Sequence, residues 1–375
     1  MPALLDTVDP EGLQEFSVVF TDRSLNHMSA EFQQVMRDIS GMLKEVYKAR
    51  SVALVPGGGT FAMEAVARQF ARDRHALVVR NGWFSYRWSQ IFEAGGFTSG
   101  ATVMKARRQG NGAQAPFAPA PIEEVAAKIR EDRPEIVFAP HVETAAGVIL
   151  PDDYVAALGA AAHEVGALFV LDAIASGCAW VDMEKCNVDV LISAPQKGWS
   201  ASPSAGLVML SETARRRIDD TRSDSFALDL AKWLQIMEAY EAGGHAYHAT
   251  MPTDALRGFR DTMVETRDYG FERLRDAQFD LGGKVRDMLA AKGVKSVAAK
   301  GYGAPGVVVS FTDDPEIRTG RKFAAQGVQI AAGVPLQCDE GEGFSTFRIG
   351  LFGLDKLYDV DGTVARLKRA VDAVF

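Results

Sequence analysis

The chain has 375 residues, with 41 lysines and arginines against 49 aspartates and glutamates, which gives a formal net charge of −8. Because affinity for a nucleic-acid backbone depends on clustered positive charge, this balance disfavours nucleic-acid binding. A composition of 47% hydrophobic and 24% charged residues is typical of a globular protein and excludes a disordered or fibrous one. At roughly 100–200 residues per domain, the length predicts two domains.

The N-terminal residues lack the basic segment and apolar run of a secretory signal, and no stretch approaches the ~18–20 apolar residues of a membrane span. The three cysteines, Cys178, Cys186 and Cys338, are too few and too scattered for a disulfide framework. We therefore expect a cytoplasmic protein in a reducing compartment, without a membrane partner.

Short apolar runs alternate with longer segments of helical periodicity over the first two thirds of the chain. The predicted strands are 52–55, 76–79, 136–139, 167–171, 188–192 and 207–210, and the predicted helices include 61–72, 122–131 and 154–165. This α/β pattern predicts a mostly parallel central sheet flanked by helices, with ligands bound at the carboxyl ends of the strands.

The pattern changes after about residue 255. A long helical stretch is predicted over 255–292, with a break near Gly282 and Gly283, and is followed by strands 307–311, 328–331 and 346–349 and a helix over 357–375. We predict a large domain over 1–255 and a smaller C-terminal α+β domain over 256–375. The Gly- and Pro-rich stretch 107–121 is predicted to be an exposed loop.

A glycine-rich segment at 56–60 follows the first predicted strand and precedes a helix. Glycines allow close approach of an anion, and the free amides of a helix N-terminus donate to it, so this segment is a candidate phosphate cradle. Two alternatives stay open. Residues 57–62 also fit the loose pattern G-x-G-x-x-A, with Arg80 available for the extra phosphate of NADP, and the glycines could serve only strand-to-helix packing.

Asp172 and Lys197 each follow a buried strand at the edge where ligands bind. They could pair with each other, or Lys197 could be a solvated loop residue. Together with a phosphate cradle, however, they supply what pyridoxal phosphate needs. A lysine amine forms the Schiff base, and a carboxylate keeps the ring nitrogen protonated.

The sequence resembles the class V aminotransferases of pyridoxal-phosphate fold type I, most closely the alanine-glyoxylate and serine-pyruvate aminotransferase group. The segments that carry the resemblance are GGGTFAMEA (57–65), RNGWFSYRW (80–88), HVETAAGV (141–148), LDAIAS (171–176), SAPQKG (193–198), YHATMP (247–252) and TFRIGLFG (346–353).

The resemblance implies two catalytic residues, Lys197 as the Schiff-base amine and Asp172 as the partner of the ring nitrogen. The cofactor-binding residues that it implies are Gly58, Gly59 and Thr60 at the phosphate, Phe84 on the ring, Thr144 near the ring hydroxyl, Ile174 below the ring, Gln196 beside the lysine, and Tyr247 and Thr250 at the phosphate of the other subunit. It also implies that Arg348 binds the substrate carboxylate, a task suited to a bidentate guanidinium.

The resemblance implies a homodimer with shared active sites. It also implies an enzyme that moves an amino group from a small amino acid of the alanine or serine type. The acceptor is a small 2-oxo acid of the glyoxylate or pyruvate type. The alternatives on the same fold are an aminophosphonate transaminase, a lyase or a cysteine desulfurase, and an NADP-binding oxidoreductase remains a further one. A desulfurase would need Cys338 as its nucleophile. The six histidines carry no metal-ligand spacing, so no metal is expected.

The sequence departs from this family in two stretches. Residues 15–29 replace a Gly- and Pro-rich segment that lines the family's substrate pocket, and the loop 107–121 is longer than usual. The first departure leaves the choice of amino-acid side chain open.

Overall fold

The computed structural model describes residues 5–375. The helices in chain order are α1 (Ala30–Tyr47), α2 (Gly59–Phe70), α3 (Trp83–Gly95), α4 (Ile122–Asp132), α5 (Asp152–Glu164), α6 (Glu212–Asp219), α7 (Leu230–Glu241), α8 (Thr253–Tyr269), α9 (Phe271–Ala291), α10 (Pro315–Arg318), α11 (Arg321–Ala324), α12 (Leu354–Leu357) and α13 (Val360–Val374). The strands are β1 (Ser51–Pro56), β2 (His75–Arg80), β3 (Gly100–Lys105), β4 (Arg107–Arg108), β5 (Phe117–Ala118), β6 (Ile136–Pro140), β7 (Val142–Glu143), β8 (Val148–Ile149), β9 (Leu168–Asp172), β10 (Val190–Ser193), β11 (Ala205–Leu210), β12 (Val307–Phe311), β13 (Ala331–Ala332) and β14 (Thr346–Gly350).

Seven strands form a central sheet in the order β1-β11-β10-β9-β6-β2-β3. Strand β11 is antiparallel to both of its neighbours, and the other neighbouring pairs of this sheet are parallel. The remaining six strands therefore run in one direction, and their carboxyl ends share one edge. Strands β6, β9, β10 and β11 are buried along their whole length, as expected when helices cover both faces. The predicted α/β class with a mostly parallel sheet is confirmed.

A smaller sheet lies in the C-terminal part of the chain, with the antiparallel order β12-β14-β13. Arg348 lies in its middle strand, opposite Val309 on one side and Ala331 on the other. The predicted strand 328–331 is wrong for most of its length. The amide of Val328 donates instead to the carbonyl oxygen of Phe323, which closes the turn after α11.

The predicted break in the long helical stretch is also misplaced. Helices α8 and α9 meet at Gly270, whose φ of 107° favours glycine. Gly282 stays inside α9, where a Cβ atom would lie 2.6 Å from the carbonyl oxygen of Pro305. That glycine serves close packing, so it does not interrupt the helix.

Two further differences concern the loop 107–121 and the last helix. The loop contains the short antiparallel pair β4 and β5, and Phe117 within it is buried. The last helix begins at Val360, because a carboxylate oxygen of Asp359 accepts from the amide of Gly362, 2.9 Å away, and caps it. The division between residues 255 and 256 stays a prediction. Among residues 5–375, no helix is long and apolar enough to cross a bilayer.

Candidate active site

A cavity of about 410 Å³ lies where segments that follow the parallel strands meet the smaller sheet. It is lined by nine of the residues that the sequence predicts, namely Gly59, Thr60, Phe84, Thr144, Asp172, Ile174, Gln196, Lys197 and Arg348. Gly58, Tyr247 and Thr250 do not line it. A larger cavity of about 780 Å³ runs along residues 9–31 and contains none of the predicted site residues, so size alone does not identify the site.

The glycine-rich turn brings the start of α2 to the cavity. Gly57 has a φ of 121°, a backbone conformation that favours glycine. A Cβ atom at Gly59 would lie 2.5 Å from Cδ1 of Ile174, whereas one at Gly58 would meet nothing within 4 Å. The amides of the first turn of α2 carry partial positive charge, so this end of the cavity favours an anion.

Asp172 is the last residue of β9 and is only 6% exposed. Its Oδ1 accepts a hydrogen bond from the amide of Ile174, 3.0 Å away. Burial, with a smaller effect of the charge on Glu143, raises the pKa of Asp172 to about 7. No ion pair joins Asp172 to Lys197 among residues 5–375. The charge of Arg87 offsets this rise in the pKa of Asp172 only in part. A protonated pyridine nitrogen would supply a directly paired cation, so this carboxyl group fits pyridoxal phosphate.

Lys197 lies in the segment that follows β10 and is half-buried, with its Nζ 5.1 Å from the centre of the Phe352 ring. Burial lowers the pKa of Lys197, and the positive charge of Arg348 lowers it further. A lower pKa increases the uncharged fraction of the amine, which is the form that attacks a carbonyl group. The environment of this lysine therefore favours covalent attachment of an aldehyde.

Phe84 and Arg348 contact each other across the cavity. The Arg348 guanidinium lies 5.6 Å from the centre of the Phe84 ring, and its Nε donates to the carbonyl oxygen of Ala332, 2.8 Å away. Within the described part of the chain, its two terminal nitrogens make no hydrogen bond. Burial lowers the pKa of Arg348, but a guanidinium stays charged. This side chain can bind a carboxylate with both terminal nitrogens.

Two polar groups of the site, Arg87 and Glu143, escaped prediction, and a third, Gln196, was predicted. Arg87 lines the cavity and lies one helical turn after Phe84, a spacing that places both on one face of α3. Glu143 is fully buried in a segment of largely apolar residues, where a carboxylate needs several donors. Gln196 was predicted as a cofactor neighbour, and its buried Oε1 has no hydrogen-bond partner among residues 5–375.

The two residues predicted to serve the other subunit lie away from the cavity of their own chain. Tyr247 is 53% exposed, and its hydroxyl is 3.0 Å from Oγ1 of Thr250. The Tyr247 ring also lies 5.4 Å from the ring of His27. The segment 15–29, in which the sequence departs from the family, thus packs against the segment that carries these two residues.

The residues that an NADP-binding oxidoreductase and a cysteine desulfurase would need, Arg80 and Cys338, are not placed for those roles. Arg80 is buried and donates to Oγ of Ser89 and to the carbonyl oxygen of Gln337, so its guanidinium serves internal contacts and not a nucleotide. Cys338 is 4% exposed and lies outside the cavity, and burial raises the pKa of its thiol to about 12. No cluster of metal-ligating side chains occurs in the described part of the chain.

Comparisons with known proteins indicate the family of the chain. A family model for aminotransferase class-V matches residues 10–311. Alanine–glyoxylate aminotransferase 1 of Saccharomyces cerevisiae is 27% identical over 335 residues, which cover 83% of this chain and 82% of the relative. A 2-aminoethylphosphonate–pyruvate transaminase of Paraburkholderia phymatum is 28% identical over 352 residues, with coverage of 92% and 89%. For alanine–glyoxylate aminotransferase of Callithrix jacchus, at 27% identity, the match covers 70% of this chain but 62% of the relative.

The solved structure of an alanine–glyoxylate aminotransferase from Nostoc sp. superimposes with a TM-score of 0.78 at 21% identity, covering 93% of this chain and 89% of that one. At this identity, the likeness shows the fold. The expectations of fold type I, of the family and of pyridoxal phosphate as cofactor are confirmed. Because the family model matches most of the sequence, the chain belongs to the class-V aminotransferases, which are pyridoxal-phosphate-dependent enzymes.

Proposed function

We propose that the protein transfers an amino group from a small amino acid of the alanine or serine type to a small 2-oxo acid of the glyoxylate or pyruvate type. The observation that carries this proposal is the meeting of Lys197, Asp172 and Arg348 in one cavity. These side chains supply an amine of lowered pKa, a buried carboxyl group with which no cation pairs directly among residues 5–375, and a guanidinium whose terminal nitrogens make no hydrogen bond in that part of the chain.

Pyridoxal phosphate, when bound, supplies a carbonyl group that exchanges between amines and a ring that accepts electron density from the substrate. Lys197 would hold the cofactor covalently. Once freed, its amine would remove the proton from the substrate Cα and deliver it to a carbon atom of the cofactor, since one amine can accept and then donate the proton. Asp172 would stabilise the positive charge of the ring nitrogen. Phe84 would fix the plane of the ring, and Arg348 would orient the substrate carboxylate.

We also propose a homodimer in which Tyr247 and Thr250 reach the cofactor phosphate of the other subunit. The exposure of Tyr247 supports this proposal, as do the exposed apolar side chains of Phe16 and Val18, which a second copy would cover. The cytoplasmic location likewise stays a proposal.

A second candidate donor is an aminoalkyl phosphonate. It is favoured by the relative named 2-aminoethylphosphonate–pyruvate transaminase, of which 89% is covered, and by the guanidinium of Arg348, which can bind a phosphonate as well as a carboxylate.

Turnover assays of the purified enzyme with L-alanine, L-serine and 2-aminoethylphosphonate, each with glyoxylate or pyruvate, would test the proposal. We expect transfer from alanine or serine. Activity with the phosphonate alone would select the second candidate, and no transfer from any of the three donors would contradict both.

A further inference from the structure

Arg87 is a cation of the cavity to which no role has yet been assigned. Its Nη1 donates to Oγ1 of Thr60, 3.0 Å away, and its guanidinium lies 4.9 Å from the centre of the Phe84 ring. It forms no ion pair with a carboxylate among residues 5–375. Burial raises the pKa of Asp172 and the charge of Arg87 opposes that rise in part, but within the described part of the chain no carboxylate pairs with the guanidinium directly, so its charge can also serve an anion inside the cavity.

The bond between Arg87 and Thr60 also fixes the role of the hydroxyl group. A guanidinium can only donate, so Oγ1 of Thr60 must accept in this contact. The proton of that hydroxyl is then free to be donated to another acceptor. Thr60 lies in the first turn of α2, where the helix dipole disfavours a nearby cation unless an anion lies between them.

We propose that Arg87 is a positioning residue for the phosphate of the cofactor. It holds the hydroxyl of Thr60 with its proton directed to the phosphate and adds positive charge to that end of the cavity. The proposal rests on the proposed function in one respect, since it takes the phosphate to lie at the start of α2.

The test compares pyridoxal phosphate with pyridoxal, which lacks the phosphate. Dissociation constants of both are measured on the cofactor-depleted enzyme by visible absorbance, for the wild type, Arg87→Ala, Thr60→Ala and the double variant. Because a hydrogen bond to a charged group contributes about 1.5–3 kcal/mol, we expect Arg87→Ala to raise the dissociation constant of pyridoxal phosphate by roughly tenfold or more. Pyridoxal affinity should change by less than about twofold, and the loss should be clearly smaller when Thr60 is already alanine.

Two further variants keep the test decisive if Arg87→Ala folds poorly, which circular dichroism would reveal. Arg87→Lys keeps the charge and a donor, so it should keep most of the preference for the phosphorylated cofactor. Arg130→Gln removes an exposed arginine paired with Glu164 and should change neither affinity.

Several outcomes would overturn the proposal. An equal loss for both cofactors would show that Arg87 acts on the ring or on the fold. Unchanged affinities with a raised KM for the amino acid would make Arg87 a substrate-binding residue. If the wild type itself showed no preference for pyridoxal phosphate over pyridoxal, the phosphate site at α2 would fail first, independently of Arg87.

Discussion

The carboxylate of Glu143 accepts hydrogen bonds from the backbone amides of Phe84 and Ser85, at 3.2 and 2.9 Å. It also accepts from the Ser85 hydroxyl at 2.7 Å and from the amide of Ala145 at 2.9 Å. A fully buried carboxylate on strand β7 therefore fixes the start of α3, which carries the Phe84 ring that lines the cavity. Four donors compensate for the loss of water around that charge.

Replacing Glu143 with glutamine should destabilise the protein, because an amide nitrogen cannot accept and at least one buried donor loses its partner. We expect the free energy of unfolding to fall by about 1–3 kcal/mol, measured by chemical denaturation. Glu124→Gln breaks only an exposed pair with Arg107 and should leave the free energy of unfolding nearly unchanged. Equal effects of the two substitutions would contradict the role given to Glu143.

Replacing Asp172 with asparagine should stabilise the cofactor-depleted protein at pH 8. In the folded state the pKa of Asp172 is about 7, against an ordinary value of 3.8, so unfolding releases a proton between these pH values. The stability contribution of this group therefore falls as pH rises from about 4 to 7. Asparagine removes this penalty, which amounts to about 1.4 kcal/mol per pKa unit as an upper bound.

Thermal denaturation of both proteins without cofactor at pH 4.5 and pH 8 measures this effect, since only the wild type carries the titrating carboxyl group. With cofactor bound, the wild type should be the more stable of the two proteins, because in Asp172→Asn the ring nitrogen of the cofactor has lost its counter-charge. A gain in stability that is the same at both pH values would show that Asp172 does not titrate in this range.

Replacing Arg348 with glutamine should weaken the binding of the substrate carboxylate. Truncating one partner of a buried charge pair costs about 2–5 kcal/mol, so kcat/KM for the amino acid should fall mainly through KM. Arg107→Gln, at an exposed residue that does not line the cavity, serves as the control. If KM for the amino acid stayed at its original value, the carboxylate site would have to lie elsewhere.

Shared active sites predict complementation between two inactive variants. One carries Lys197→Ala, and the other carries Tyr247→Phe with Thr250→Ala. In a mixed dimer, one site would have the intact lysine of one subunit and the intact Tyr247 and Thr250 of the other. We expect co-expression to restore activity that neither variant shows alone, and no recovery in a purified mixed dimer would place these residues outside the partner's site.

Local patterns predict the glycine-rich turn, Asp172 and Lys197, and the resemblance to the family implies the other predicted residues of the cavity. Asp172 ends the buried strand β9, Lys197 follows the buried strand β10, and the carboxyl ends of parallel strands must meet at one edge. The contact between Gly59 and Ile174 shows why glycine is needed at the start of α2. A local sequence pattern is enough to predict a site residue when one physical requirement selects its residue type at that position.

The remaining features depend on contacts that are distant in sequence. Glu143 accepts from the Phe84 amide at the start of α3 from 59 positions along the chain, and no local pattern reveals that partner. Gly282 resembled a helix break, but its neighbour Pro305 explains the glycine by packing. Strand β3 lies at the sheet edge and is only half-buried, so it lacks the continuous apolar run by which its neighbours were recognised.

The most direct test of the central claim is the visible absorption spectrum of the purified enzyme and of Lys197→Ala, before and after L-alanine and then glyoxylate or pyruvate are added. The account predicts a cofactor band in the wild type that bleaches with the amino acid and returns with the 2-oxo acid. The variant should bind the cofactor but show no such cycle. A wild-type band that does not change with any amino acid would contradict the amino-transfer reaction. A full cycle in the variant would contradict the assignment of Lys197.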